Sequence, residues 1–266
     1  MKALIALMLI TQVAFAQLGV QQPGFPNGLG GWGLSKAVTT TAVYDPVTAL
    51  GGKDSVVGLY TVSDLSTIHT VSGTKLDGDV VTGWDDKSRN GNHFVQADAA
   101  KAPLLRINAG GNYLEFDGSN DVMVAPYTAS QQATVVLNAK MAAATAWRYA
   151  WSIGSYYSFM AYNNGWAQYA DEGNNIVSFG GSVLAWTITE EVVHSLTVAN
   201  AYRNDTLVTV FDPNDYSFFG APPTSFYIGG TTNSFSRVQI RDIVVTKTAV
   251  SDAKRTELYS YLKTVR

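Results

Sequence analysis

The chain contains no cysteine, so disulfide bonds, thiol nucleophiles and cysteine-ligated metal centres are all excluded. Charged residues make up only 15% of the 266 residues, the formal net charge is −3, and lysine and arginine are scattered rather than clustered. Because nucleic acids and anionic membrane surfaces are bound by basic patches, we expect neither as a partner. Long hydrophobic runs are also missing, and the apolar stretch near the N-terminus is too short for an integral membrane span.

The N-terminal residues are typical of a secretory signal. Residues 1–16 combine an early lysine, an apolar stretch and an Ala14-Phe15-Ala16 cleavage site. Residues 17–54 are rich in Gly, Pro, Thr and Ala without helical or strand periodicity, so we expect an extended N-terminal arm or linker. The protein is therefore expected to be extracellular. The alternative is a virion surface, where an uncleaved hydrophobic segment would be buried in a particle.

From residue 55 onward the pattern changes to short alternating apolar runs separated by Gly, Asn and Asp turns. Many short strands at regular spacing are typical of a sandwich or a barrel. A helix is predicted only at the C-terminal end, where Ser251 is a natural N-cap. Its apolar stripe has the spacing i, i+3, i+4, i+7 and consists of Leu258, Tyr261, Leu262 and Val265. One all-β domain is therefore predicted over residues 55–266.

Three segments in this order resemble the laminin-G-like jelly rolls of the concanavalin A-like lectin/glucanase superfamily. They are "GLYTVSDLSTI" leading to "VVTGWDDKSRNGNHFVQ" (58–96), "NYLEFDGSNDVMV" (112–124), and "FYIGG" leading to "VQIRDIVVTKTAVSDAKRTELYSYL" (226–262). Each motif alone is structural, but the ordered set covers residues 55–266. The resemblance implies a two-sheet antiparallel jelly-roll sandwich with a concave face. The superfamily is functionally diverse, so the fold does not specify a function.

The densest polar stretch is "GWDDKSRNGNHFVQ" at residues 83–96. The resemblance favours a turn, in which Trp84 ends a strand with its ring in the core and Gly91 supplies a positive φ. The short side chains that would fold back on the backbone are Asp85, Ser88, Asn90 and Asn92. Alternatively, Asp85 or Asp86 joins a calcium site, but calcium takes about six to eight oxygens and distant loops would have to help.

A second polar turn is predicted in "FDGSNDVM" at residues 116–123. Asp117-Gly118 is a tight-turn signal, and Asn120 and Asp121 would cap the following strand. The alternative is a calcium site built from Asp117, Asn120 and Asp121 with backbone carbonyls, although their spacing fits no defined calcium loop. No cofactor is expected, and calcium is the only one that the sequence leaves open.

The carboxylates do not form the pair that glycoside hydrolysis needs. Glu115-Phe116-Asp117 begins the Glu-x-Asp-x-x-Glu strand pattern of the jelly-roll glucanases, but Asn120 stands where the second glutamate belongs. His69 and His194 lie in apolar strand patterns with no acid or nucleophile beside them in the sequence. We therefore expect no catalytic residues and no enzymatic activity.

Residues 147–175 have the composition of a sugar-binding surface, since aromatic rings stack on pyranose rings and amides bind hydroxyls. The part least explained by core packing is a predicted loop with a tryptophan at its tip and amides on either side. The candidate ligand-binding residues are Tyr162, Asn163, Asn164, Trp166 and Gln168. The alternative is that these aromatic residues only cover the second sheet.

Two functions are consistent with these patterns. The first is a non-catalytic lectin-like module that recognises a polysaccharide or a cell-surface glycan. The second is a structural, decoration or appendage protein of a phage or other particle surface, which uses the jelly roll for assembly or adsorption to a host. In that case residues 17–54 would contact other particle-surface proteins. We predict the first, with a glycan as partner.

Overall fold

The computed structural model describes residues 44–127, 133–141, 148–153, 157–162, 165–170, 175–180, 185–195, 198–211, 224–231 and 234–265. The expected secretory signal, residues 1–16, and most of the expected arm lie outside these ranges. Within them, the regular structure is antiparallel strand in two sheets with a C-terminal helix. The all-β sandwich predicted from the sequence is therefore confirmed.

The strands of the described residues are β1 (Val56–Thr61), β2 (Ile68–Thr70), β3 (Val81–Trp84), β4 (Phe94–Val95), β5 (Leu104–Arg106), β6 (Tyr113–Glu115), β7 (Met123–Pro126), β8 (Ala133–Met141), β9 (Arg148–Ile153), β10 (Tyr157–Tyr162), β11 (Gly165–Ala170), β12 (Asn175–Gly180), β13 (Thr187–Ser195), β14 (Val198–Arg203), β15 (Thr206–Phe211), β16 (Ser225–Ile228) and β17 (Val238–Thr246). The helices are α1 (Pro46–Ala49) and α2 (Asp252–Thr264), and Leu65–Thr67 and Ala99–Lys101 form short 3-10 turns.

The strands form two sheets. In the first sheet the order is β15-β14-β13-β8-β17-β6-β5. Strand β1 also pairs with β17, so that β6 and β1 share one edge of that strand. The second sheet has the order β12-β11-β10-β9-β16-β7-β4-β3-β2. The chain therefore crosses repeatedly between the two sheets, and sequence neighbours such as β7 and β8 lie in different layers.

Strand β8 is buried on both faces. Val135 and Leu137 belong to the core between the sheets, whereas the intervening Val136 packs with α2 on the outer face. This alternation is the two-residue period of a strand. A continuous apolar run of this kind is typical of a strand that is covered on both sides.

The core between the two sheets is rich in aromatic side chains. Trp84 ends β3 and is 0% exposed, as the sequence predicted. Phe226 from β16 stacks on Trp151 with ring centroids 5.4 Å apart and also contacts Phe94. The other large side chains that are fully buried include Phe116, Ile68, Leu105, Leu114, Met123 and Leu137.

A second core lies between the outer face of the first sheet and α2. Leu258 and Leu262 pack there against Val136 from the sheet. Val47 and Leu50, from α1 and its C-terminal cap, belong to the same core. Val47 and Leu50, which lie within the expected arm at 17–54, are thus packed against the sandwich.

The helix α2 is attached by a buried charge that the sequence did not predict. Arg255 is only 6% exposed, and its guanidinium donates to Asp205 Oδ1 at 2.6 Å. The same guanidinium lies 3.8 Å above the centre of the Tyr202 ring. Ser251 is the N-cap residue, but its side chain makes no capping hydrogen bond. The predicted start of α2 is therefore confirmed. The buried face of the helix also includes a cationic side chain, Arg255, which was not predicted.

The polar loop at residues 85–92 supplies hydrogen bonds to the free edge of β1. All six residues of β1 are buried, and β17 pairs with only one of its edges. Asp86 Oδ1 accepts from the Leu59 backbone N–H at 3.0 Å, and the Lys87 N–H donates to the Leu59 carbonyl at 2.8 Å. Because buried backbone groups must be paired, this loop takes the place of a neighbouring strand.

The rest of this loop is organised in the same way. Asn90 donates to the Val56 carbonyl, and Asn92 donates to the Val57 carbonyl at 2.7 Å. Gly91 has φ of +75°, as predicted. The turn interpretation of the stretch is therefore confirmed. It needs one correction, because the amides bind the backbone of β1 rather than the backbone of their own turn.

Replacing Asp86 by alanine should destabilise the fold strongly. Its carboxylate, 7% exposed, accepts from the Leu59 N–H, the Ser88 N–H and hydroxyl, and the Asn92 N–H. Leaving such buried donors without an acceptor should lower the free energy of unfolding by about 2–4 kcal/mol. The matched control is Asp85→Ala, whose exposed carboxylate should matter by less than about 1 kcal/mol. Urea unfolding of both variants measures the difference, and equal losses would contradict the assignment.

Gly229 should not tolerate a side chain. Its φ is +81°, and an added Cβ would lie 2.0 Å from Cδ1 of Phe116, which is fully buried. Gly229→Ala is therefore expected to lower the free energy of unfolding by about 2–4 kcal/mol, from backbone strain and overpacking together. Gly52 has a similar φ of +84° with nothing within 4 Å of the added Cβ. Gly52→Ala should thus lower the free energy of unfolding only through backbone strain, by about 1 kcal/mol. Thermal unfolding compares the two variants. A larger loss of stability in Gly52→Ala than in Gly229→Ala would refute the prediction.

Candidate functional site

A β-bulge in β17 places two neighbouring polar side chains on the same face of the first sheet. In the pairing of β17 with β8, Ile240 lies opposite Ala139 and Asp242 lies opposite Asn138, so Arg241 is the extra residue. Ile240 and Ile243 both pack between the sheets. Because a bulge reverses the alternation, Arg241 and Asp242 both lie on the outer side, towards α2.

A cavity of about 270 Å³ lies between this outer face and α2. Three apolar side chains complete its lining. We call it the Trp186 cavity, after its largest lining side chain. Its polar and aromatic lining residues are Asn138, Trp186, Asn204, Arg241, Tyr259 and Lys263.

The cation of Arg241 is held in a fixed position. Its guanidinium carbon lies 3.7 Å from the centre of the Trp186 ring, and Nη2 donates to the Gly110 carbonyl at 2.6 Å. The Trp186 ring in turn meets Tyr113 edge-on, with centroids 5.5 Å apart. A guanidinium stacked on an indole gains cation–π energy and loses little of its hydrogen-bonding capacity. The cavity is thus equipped with a pre-oriented positive group.

Behind the cavity lies a buried acid. Asp242 is 1% exposed, and its Oδ2 accepts from Asn138 Nδ2 at 2.8 Å. Burial raises the pKa of Asp242 to about 6, although hydrogen bonds from Thr61 and Asn138 and the charge of Arg241 act in the opposite direction. Asn138 therefore uses its donor on the acid, which leaves its Oδ1 as an acceptor at the cavity.

Asn204 reaches the cavity from the tight turn between β14 and β15. Asn204 and Asp205 both have positive φ, 49° and 65°, as the two central residues of a type I′ turn require. Asn204 Oδ1 accepts from the Ile188 N–H at 3.1 Å. Among the described residues no acceptor is bonded to its Nδ2, so this group is a donor available at the cavity.

The Trp186 cavity therefore combines cationic donors, an amide donor, an amide acceptor and aromatic rings. No carboxylate is among its lining residues in the described part of the chain. Such a set suits a small ligand with several hydroxyl groups, since it offers both hydrogen-bond donors and acceptors around an aromatic wall. Sequence reasoning missed this site because its lining comes from segments far apart in the chain.

The candidate residues of the aromatic stretch can be placed only by their backbone. Tyr162 ends β10, and Trp166 and Gln168 belong to β11, where Trp166 pairs with Ala161. Trp166 is therefore in a strand, not at a loop tip as expected. Asn163 and Asn164 lie outside the described residues, as do the side chains of Tyr162, Trp166 and Gln168. Sugar binding by this hairpin stays a prediction.

The side chains of the candidate calcium residues form hydrogen bonds with backbone groups of their own turn and of a neighbouring segment. Asp117 Oδ1 accepts from the Ser119 N–H at 2.7 Å and the Asn120 N–H at 3.3 Å. Asp121 is 6% exposed and accepts from the Asp117 N–H at 2.8 Å, and burial raises its pKa to about 6. Two of the carboxylate oxygens thus already bind the backbone, and the Asn120 amide donates to the Ala100 carbonyl. This arrangement does not fit a calcium ion, which needs more oxygen ligands.

Glu115, the glutamate of the glucanase-like pattern, is committed to an ion pair. Its Oε2 accepts from Arg106 Nε at 2.6 Å across the β5–β6 pair, and Oε1 lies 3.4 Å from the Gln239 amide. Asp117 has left the strand for the turn, so the two carboxylates are not presented together by one strand. Within the described residues this pair gives no support for acid–base hydrolysis.

The fold also brings together two histidines and an acid that are separate in the sequence. His69 Nε2 lies 2.7 Å from one oxygen of Asp85, and His93 Nδ1 lies 3.1 Å from the other. His93 Nδ1 also accepts from the Asp86 backbone N–H at 3.1 Å. His69 therefore has an acid beside it in three dimensions, although none is beside it in the sequence. All three side chains are exposed to solvent, and none of the groups of acids and histidines in the described residues meets the requirements of a metal site.

The pKa of Asp242 should make stability fall as the pH rises. The folded protein holds the proton of Asp242 more tightly than the unfolded chain does. Protonated Asp242 therefore adds to the free energy of unfolding. This stabilisation is complete below about pH 4 and is lost as the pH passes about 6. Asp242→Asn keeps a carbonyl acceptor for Asn138 and removes the titration. Between about pH 4 and pH 6, the free energy of unfolding should therefore fall less in Asp242→Asn than in the wild type, by up to about 3 kcal/mol. Urea unfolding at several pH values measures the difference, and an unchanged slope in Asp242→Asn would refute the assignment.

Comparison with known proteins finds likeness at the level of the fold. No protein-family model matches the sequence, and no curated protein matches it. The receptor-binding domain of botulinum neurotoxin D superposes with a TM-score of 0.54 at 13% identity, covering 79% of this chain and 53% of that one. A serotype D ligand-binding domain in complex with N-acetylneuraminic acid gives 0.54 at 11% identity, covering 81% and 52%.

Trypanosoma rangeli sialidase gives a TM-score of 0.55 at 15% identity, covering 79% of this chain and 33% of that one. The chain thus spans about half the length of the neurotoxin domains and a third of the sialidase. Within the described residues, no helix is both long and apolar enough to cross a membrane. The likeness establishes that this chain has the β-sandwich fold shared by these domains.

Proposed function

We propose that this protein is a non-catalytic, lectin-like module that binds a glycan in the Trp186 cavity. The observation that carries the proposal is the lining of that cavity, where Trp186 and Arg241 stand beside the amides of Asn138 and Asn204. Aromatic rings with fixed amide and guanidinium groups are the usual means of binding a sugar. Its volume of about 270 Å³ lies just below the usual range for small-ligand sites and suits a single sugar ring.

The fold supports the proposal without determining it. One structural neighbour is a ligand-binding domain in complex with N-acetylneuraminic acid, and others are receptor-binding domains. At 11% to 13% identity these similarities support only a common architecture, on which very different sites occur. We also propose that the chain belongs to the concanavalin A-like superfamily, which its ordered motifs support, and that it acts outside the cell, which its signal-like residues 1–16 support.

The proposal predicts that the full chain binds glycans on an array and that Trp186→Ala weakens the binding by about tenfold or more. Trp166→Ala removes the same side chain from the hairpin and serves as the matched control. Near-ultraviolet circular dichroism checks that both variants are folded. The same preparation should release no reducing ends from a panel of polysaccharides, because Asn120 stands where the glucanase-like pattern needs its second glutamate.

The outcomes separate the alternatives. Loss of binding in Trp166→Ala but not in Trp186→Ala would move the site to the β10–β11 hairpin and retain the lectin function. The absence of binding to every glycan would refute the lectin function. Turnover that is lost in Glu115→Gln would show instead that the protein is a glucanase-like enzyme.

A further inference from the structure

We infer that the sugar bound in the Trp186 cavity carries an acetamido group, and that Asn138 and Asn204 bind the two polar atoms of that group. This inference rests on the proposed function and specifies its ligand class. Arg241 and Lys263 also line the cavity, but both already have interactions within the protein, so their charges do not define the ligand. The uncharged amides of the lining are therefore the groups that distinguish one sugar from another.

The two amides lie on either side of Ile188 on the outer face of the first sheet. Asn138 on β8 is the register partner of Ile188 on β13. Asn204 directly follows β14 and lies on the other side of Ile188. Its backbone N–H donates to the Ile188 carbonyl at 2.9 Å, and its Oδ1 accepts from the Ile188 N–H at 3.1 Å. Because neighbouring strands are about 4.8 Å apart, the backbones of the two asparagines are separated by about 10 Å.

Each amide is held in one orientation by a hydrogen bond to the protein. The bond from the Ile188 N–H uses Asn204 Oδ1 and leaves Asn204 Nδ2 as a donor. The bond to Asp242 uses Asn138 Nδ2 and leaves Asn138 Oδ1 as an acceptor. A sugar hydroxyl can rotate to suit either group, so a fixed donor and a fixed acceptor select best for a ligand group whose own polarity is also fixed.

A secondary amide is such a group. It is planar and trans, so its N–H and its carbonyl point in opposite directions. In a sheet, a peptide strand uses these two directions to bind neighbours on both sides, which are themselves about 10 Å apart. An acetamido group above Ile188 would donate its N–H to Asn138 Oδ1 and accept at its carbonyl from Asn204 Nδ2.

The apolar part of the lining suits the methyl end of an acetamido group. The apolar lining residues are Ile188, Leu262 and Val265. Ile188 and Leu262 belong to the core beneath α2, and Ile188 lies between the two amides. An acetamido methyl would cover part of this apolar surface. A hydroxyl or an amine at the same carbon would leave the surface uncovered and would provide no fixed donor and acceptor for the two amides.

The test compares matched sugars with the full chain. The oligosaccharides differ only at one carbon, which carries an acetamido group, a hydroxyl group or the free amine left by N-deacetylation, and each set is made in the gluco and the galacto configuration. Isothermal titration calorimetry measures the affinity for each. We expect the acetamido members to bind about tenfold or more tightly than the other two. This comparison uses the wild-type protein, so it does not depend on the folding of a variant.

Asn204→Asp tests the site itself. It removes the Nδ2 donor and keeps an Oδ1 that accepts from the Ile188 N–H. It should lower the affinity for acetamido sugars by about tenfold or more and remove most of the preference for them. The matched control is Asn108→Asp, because Asn108 is exposed, accepts from the Gly110 N–H at 2.9 Å through its Oδ1 and does not line the cavity. It introduces the same charge and should change the affinity by less than about twofold.

The outcomes separate this inference from the proposed function. Equal losses in the two aspartate variants would overturn the inference, since they would reflect the added charge alone. A preference for acetamido sugars that survives in Asn204→Asp would also overturn it. Equal binding of the acetamido and hydroxyl members by the wild type would overturn it while leaving the lectin function intact, whereas no binding of any sugar would refute the lectin function itself.

Discussion

The buried strand β1 needs hydrogen-bond partners for its free edge, and a polar loop provides them. This loop follows β3 in the second sheet and reaches β1 in the first, so it joins the two layers at their margin. Asp86 is its centre, because the carboxylate organises the loop and accepts from the Leu59 N–H at the same time. Tyr60 adds an aromatic link, since its hydroxyl donates to the Asn92 carbonyl while its ring packs on Trp84. The hydrogen bonding of the buried β1 backbone and the packing of the aromatic core thus depend on the same loop.

The second local constraint is the bulge in β17. Without the extra residue, Arg241 and Asp242 would alternate between the core and the outer face. With it, both lie on the outer side, where Asn138 binds the acid and Trp186 stacks on the cation. The buried Arg255 then helps to hold α2 over this surface by its bond to Asp205. The bulge in β17 and the attachment of α2 through Arg255 together create the Trp186 cavity, on which the proposed function depends.

Most of the fold was predictable from local patterns, but not all of it. Strand β8 coincides with an apolar run of the sequence, Ala133–Met141, and the C-terminal helix begins after Ser251 as its cap predicts. Strand β13 runs without a break from Thr187 to Ser195, through the adjacent glutamates Glu190 and Glu191. Its backbone pairs with β8 on one edge and β14 on the other, and this pairing defines the strand over its whole length. The hairpin strand β11 was missed for a related reason, because its pairing with β10 rather than its composition defines it.

The sequence by itself determined the all-β class and the polar turns, because alternation and turn residues are local properties. Only the tertiary structure decided which polar groups meet. It brought His69 to Asp85 and placed Arg241 beside Trp186, although these partners are well separated along the chain. Contacts of this kind follow from strand order and from a single bulge, and neither leaves a readable pattern in the residues concerned.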